Sequence, residues 1–283
     1  ALIDGYLRKV CASFPPMPSV LREAMEHTLF APGKRIRPVL AVTVAEALGT
    51  RAETVLPFAA AIEMIHTYSL IHDDLPALDN DDLRRGRPTC HVVFGEAHAI
   101  LAGDALLTEA FRIMTDPQYV TGVDPAIVQR LVFEISGAAG VGGMVGGQVL
   151  DILLENSDGT PEDLSYIHSH KTMALIRVSV RTGALVAGAS QDTLAHLTAY
   201  GEALGLCFQV VDDILDAVGD EEKVGKKLRK DADKQTYIKH YGIEHSRKTV
   251  EKLTATATES VACLEDRGTV LTEIARFLGG RIS

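Results

Sequence analysis

Apolar residues recur at steps of three or four along almost the whole chain, and that spacing rules out most folds at once. Between Glu53 and His72, the residues Leu56, Ala59, Ala60, Glu63, Met64, Thr67, Tyr68 and Ile71 follow one another at helical intervals. Similar runs cover 123–154, 161–188, 191–218 and 243–278, whereas strand-like alternation bounded by turns is scarce. Breakers fall between the runs, at Pro32-Gly33, Gly86-Arg87-Pro88, Asp116-Pro117, Asp158-Gly159-Thr160-Pro161 and Gly188-Ala189-Ser190. Thr160, followed by Pro161, Glu162 and Asp163, has the chemistry of a helix start. The pattern predicts about ten helices joined by short loops. No stretch has the length or composition of an interdomain linker, so a single all-α domain over 1–283 is expected.

Charge and cysteine usage narrow the function. Lys plus Arg number 28 against 38 Asp plus Glu, a net charge of −10, which argues against a binder of nucleic-acid backbones. Cys11, Cys90, Cys207 and Cys263 are far apart and lack the partners of a zinc site, so they read as reduced thiols. No run approaches roughly 20 uninterrupted apolar residues, and no signal-like succession opens the chain, so the expected compartment is the cytoplasm.

Two glycine-rich segments resemble phosphate loops without being them. Residues 137–147 hold six glycines but neither G-x-G-x-x-G nor a Walker pattern, and no strand precedes them. Small residues four apart there suit close helix contact, with Gln148 and Asp151 following on the same helix. Gly219 to Lys227 has the wrong spacing and a lysine where Ser or Thr belongs.

The stronger signal is acidic. Asp73-Asp74-Leu-Pro-Ala-Leu-Asp79 is echoed by Asp212-Asp213-Ile-Leu-Asp216, each at the end of an apolar run where charge is expensive to bury unpaired. Asp212 and Asp216 share a helix face, while Pro76 forces Asp79 to return over Asp73 by a turn. Carboxylates crowded in this way call for a hard cation such as Mg²⁺, bridging to an anion such as a diphosphate. Basic groups stand nearby: Lys34, Arg35 and Arg37; Arg84, Arg85 and Arg87; then Lys223, Lys226, Lys227, Lys230 and Lys234.

With GKRIRP at 33–38, EMIHTYSLIHDDLPALDNDDLRRGRPTCH at 63–91, LAGDALL at 101–107, GGQVLD at 146–151, HKT at 170–172, FQVVDDILD at 208–216, VGK at 224–226 and KQTY at 234–237, the chain resembles the trans-isoprenyl diphosphate synthases, or polyprenyl synthetase family. It is most similar to their bacterial farnesyl-forming branch. The resemblance implies an isoprenoid synthase helical bundle around a central cavity. It also implies a Mg²⁺-dependent prenyltransferase that condenses isopentenyl diphosphate with dimethylallyl and then geranyl diphosphate, and a homodimer. Asp73, Asp74, Asp79, Asp212, Asp213 and Asp216 match the metal ligands, for about three Mg²⁺ per site, with Mn²⁺ as a substitute. Lys34, Arg37, His66 and Arg85 match the isopentenyl diphosphate site. Arg84, Lys171, Thr172, Gln209, Lys226 and Lys234 match residues that touch the allylic diphosphate, and Lys171, Thr172 and Gln209 also face the carbocation. Tyr68, five residues and roughly 7.5 Å before Asp73, matches the position that stops a growing tail. Geranylgeranyl and geranyl diphosphate synthases are the alternatives within the family.

Three rivals fit less well. A class I terpene cyclase carries Ser or Thr and then Glu where this chain has Asp216 and Asp220. An HD-type metal phosphohydrolase, using His66, His72 and Asp73, leaves the second acidic cluster unexplained. A silent partner subunit would not need both clusters intact.

Overall fold

The computed structural model describes residues 1–155, 157–218 and 235–282. In chain order the helices are α1 (Leu2–Ala12), α2 (Ser19–Leu29), α3 (Ile36–Ala47), α4 (Ala52–Asp73), α5 (Cys90–Phe94), α6 (Glu96–Thr115), α7 (Pro125–Ala139), α8 (Met144–Leu153), α9 (Pro161–Ile167), α10 (Ala174–Val186), α11 (Gln191–Val218), α12 (Tyr237–Tyr241), α13 (Ile243–Ser260) and α14 (Thr269–Gly279). A π-helical turn (His168–Met173) joins α9 to α10, and a 3₁₀ stretch (Ala262–Gly268) precedes α14. The architecture is all-α, as the spacing predicts.

About ten helices are expected and fourteen stand among the described residues, because three long apolar runs are interrupted and because α5 and α12 are separate short helices. Run 123–154 divides at the glycine turn 140–143, run 161–188 contains the π-helical turn, and run 243–278 breaks where Glu265 takes a φ of 53°. Runs 53–72 and 191–218 stay whole, as α4 and α11.

α4 departs from the expected single apolar face, since every residue from Val55 to Ile65 is buried. Burial on all sides marks a helix at the centre of a bundle. α3, α6 and α10 pack around it, α10 also lies along α11, and α13 covers α11 from outside. By length and hydropathy α4 alone among the described residues could cross a bilayer, but 78% of its most apolar window is buried inside the protein.

The end of α4 sets up the site. Pro76 cannot continue the helix, and the chain folds back so that the Asp79 amide donates to the Asp73 carbonyl at 2.8 Å and the Asp81 amide to the Asp74 carbonyl at 3.1 Å. An unanticipated ribbon follows, β1 (Leu83–Arg84) paired antiparallel with β2 (Arg87–Pro88). Its two loop residues, Arg85 at φ 54° and Gly86 at φ 73°, both have the positive φ of a type I′ turn.

Candidate active site

A cavity of about 1210 Å³ lies between the end of α4, the start of α3, α8, the π-helical turn and α11. Both acidic clusters reach it. Asp73, Asp79 and Asp81 line one side, and Asp212 and Asp213 come from α11. Burial, with Asp79 and Asp74 adding repulsion against the pull of Lys171 and Arg84, pushes the Asp73 carboxyl up to about 6. Two members of the clusters stand elsewhere. Asp74 is only 2% exposed, off the cavity wall, and its carboxylate accepts from Arg84 Nε at 2.7 Å. Asp216 is buried and also off the wall.

A basic wall faces the acids, formed by Lys34, Arg37, His66 and Arg85. Burial lowers Arg37 to about 10, and its Nε finds no hydrogen-bond partner among the described residues. His66 is held neutral, well below the usual histidine range, by burial first and then by Arg37, Arg85, Arg84 and Arg35. Lys34 is lowered by burial and then by Arg281. Crowded, under-compensated cations of this kind favour a polyanion. Arg35, in the same sequence motif, does a different job. Its left-handed backbone (φ 53°) turns the guanidinium inward to Glu63 at 2.6 Å and Asp4 at 3.1 Å.

The π-helical turn carries Lys171 and Thr172 to the cavity, an example of a widened turn at a functional position. Gly147 on α8 lets this happen: a Cβ there would come within 2.8 Å of Lys171 Cα and closer still to its amide. One helical turn along α8, Asp151 accepts from Lys171 Nζ at 2.6 Å. Thr172 donates to Gln209 Oε1 at 2.8 Å, and Gln209 Nε2 donates to Asp213 Oδ1 at 2.9 Å. Asp213 Oδ2 accepts from the Tyr237 amide at 2.7 Å. Asp213 therefore ties the threonine–glutamine pair to α12 while it lines the cavity.

The donor set fits Mg²⁺. It is all carboxylate oxygen, and among the described residues no three His, Cys, Asp or Glu side chains close around one point. An ion held here would complete its shell with water and with oxygens of the anion, as Mg²⁺ commonly does. Both side-chain atoms of Gln148 also lack partners among the described residues, on the same wall.

Three contributors have no adequate signal in sequence. Arg281, on the cavity wall, donates to Asp212 Oδ1 at 3.0 Å, and nothing near the chain end marks it. Asp151 is visible only as an acid that could face a cavity, not as the partner of Lys171. His168 is buried and pushed down to about 4 by burial, so it is neutral between Asp151 and Asp213. Lys223, Lys226, Lys227, Lys230, Lys234 and Asp220 lie outside the described residues.

Comparisons with known proteins identify the family. The family described as polyprenyl synthetase matches residues 18–271. A farnesyl diphosphate synthase of Geobacillus stearothermophilus is 50% identical over 222 residues, covering 78% of this chain and 74% of that protein. The large subunit 1 of a heterodimeric chloroplast geranylgeranyl pyrophosphate synthase of Arabidopsis thaliana is 46% identical over 270 residues, covering 93% and 73%. A solved geranyltransferase from Helicobacter pylori, complexed with magnesium and isoprenyl diphosphate, superposes with a TM-score of 0.82 at 31% identity, covering 98% and 93%. The chain therefore belongs to the polyprenyl synthetase family and is a prenyltransferase of isoprenyl diphosphates.

Proposed function

We propose that the chain, working as one catalytic domain, is a farnesyl diphosphate synthase that joins isopentenyl diphosphate to dimethylallyl and then geranyl diphosphate. The observation that carries the product is Tyr68, a ring only 7% exposed on the cavity wall, five residues before Asp73. In this reading the ring is a bulky stop, roughly 7.5 Å from the acidic cluster measured along the helix. The geranylgeranyl reading has support from the Arabidopsis relative, whose name specifies that longer product.

In this reading Lys34, Arg37, His66 and Arg85 hold isopentenyl diphosphate. His66 acts as a neutral hydrogen-bonding group, because burial first and then the surrounding arginines keep a positive charge off it. Arg84, Lys171, Thr172 and Gln209, with Lys226 and Lys234, hold the allylic diphosphate. Thr172 gives its hydroxyl hydrogen to Gln209, which leaves oxygen lone pairs to face the cation formed when the allylic C–O bond breaks. Asp73, Asp79, Asp212 and Asp213, the members of the two clusters that line the cavity, would hold Mg²⁺, about three ions or Mn²⁺ in its place, and the bound metal would supply positive charge to the departing diphosphate. The isopentenyl double bond then forms the new C–C bond, and the lost proton passes to the released diphosphate. Unpaired cysteines fit work in a reducing compartment such as the cytoplasm.

The test is incubation with Mg²⁺, isopentenyl diphosphate and geranyl diphosphate, followed by chromatography. A C15 diphosphate as main product is expected. A C20 main product would overturn the farnesyl reading, and cyclic hydrocarbon or free phosphate would overturn prenyl elongation itself.

A further inference from the structure

We propose that His72 and Gly103 determine product length by bracing Tyr68. The proposal rests on the reading of Tyr68 as the stop for the growing tail, and it adds what makes that stop rigid. Tyr68 and His72 stand one turn apart on α4, and both line the cavity. Their rings meet edge to face, with centroids 5.7 Å apart and planes at 82°. On its other side the imidazole is fixed twice. Its Nε2 lies 3.1 Å from the carbonyl oxygen of Ile100 on α6, so this nitrogen carries the hydrogen and donates it. The ring also lies against the bare Cα of Gly103: a Cβ there would collide with Nε2, Cδ2 and Cε1.

The imidazole thus occupies the volume that any side chain at position 103 would need. Where α6 places Gly103 and the Ile100 carbonyl, His72 must sit, and where His72 sits, the Tyr68 ring finds its support. A tyrosine alone on a helix can rotate about its first side-chain torsion into a neighbouring rotamer. A tail pressing on such a ring gains length by moving it. With the ring against an imidazole that cannot retreat, the tail meets a surface that does not yield. α6 thereby takes part in specificity without touching substrate.

Product ratios separate this role from general packing, because loss of fold lowers total turnover without lengthening what is made. Tyr68→Ala, His72→Ala, Gly103→Ala, His72→Gln and the Tyr68→Ala/His72→Ala double variant are assayed with Mg²⁺, isopentenyl diphosphate and geranyl diphosphate, and the C20 to C15 ratio is read. His72→Ala and Gly103→Ala are each expected to raise that ratio, on the order of tenfold, the factor that corresponds to about 1.4 kcal/mol. His72→Gln, which keeps a donor for the Ile100 carbonyl, is expected to stay nearer the parent. The double variant should match Tyr68→Ala alone. If Tyr68→Ala lengthens products while His72→Ala and Gly103→Ala do not, the brace is wrong and the Tyr68 stop survives. Additive lengthening in the double variant would also overturn the brace, by showing that His72 meets the tail itself. If Tyr68→Ala changes nothing, the stop and its brace fall together. Should His72→Ala fail to fold, Gly103→Ala decides.

Discussion

Asp73 is held in the protein against its own preference. Its carboxyl titrates at about 6 in the fold against 3.8 in the free residue, so above about pH 6 the ionised group disfavours the metal-free folded state. This cost is relieved as pH falls through about 6 and is gone below 3.8. Asp73→Asn is accordingly expected to stabilise the metal-free protein at pH 7 by about 1–3 kcal/mol, read by urea denaturation, while removing turnover. Equal or lower stability would show that the desolvation of Asp73 is already compensated. Crowding at Asp73, Asp79 and Asp212 is legible in the sequence because the residue types repel one another wherever they are brought together. The pairing of Asp74 with Arg84 is not, since it depends on a ribbon whose type I′ turn is set by two residues that say nothing of what lies beneath them. Arg281 is illegible for a simpler reason: it meets Asp212 across 69 residues of chain.

Among the elements, the π-helical turn and α8 act as a pair. Spacing predicts helix through 161–188 and small residues in 142–147, and both are present. Spacing does not reveal that one turn is widened, because nothing in the local propensities of His168–Met173 asks for it; the packing of α8 against Lys171 does. Gly147→Ala would drive a methyl group into main-chain atoms that cannot rotate away. The expected result is a loss of about 1–3 kcal/mol in stability, together with a lower kcat from the displaced Lys171 and Thr172. Thermal unfolding and steady-state rates check both, and an unchanged rate would separate the glycine contact from the placement of these residues.

On the scale of the whole molecule, the helical periodicity reads correctly for fold class, while assembly has to be judged from the surface. Leu101 on α6 and Phe133 on α7 are 56% and 77% exposed, with Ile100 beside the former. Exposed apolar side chains of this size on neighbouring helices are what a partner would cover. A homodimer is expected, and sedimentation velocity giving the mass of a single 30.5 kDa chain would set it aside.

α4 reaches beyond catalysis, into biosynthesis. It is largely apolar and buried on every side from Val55 to Ile65, and α10, one of the helices that encloses it, begins only at Ala174, whereas α4 ends at Asp73. On the ribosome α3 precedes that segment and α6 soon follows it, but the side that α10 covers stays greasy and unsheltered until the chain has been made through 186. Chaperone supply and translation speed, more than the equilibrium strength of the finished bundle, should then govern how much of the enzyme is recovered in usable form when it is overproduced.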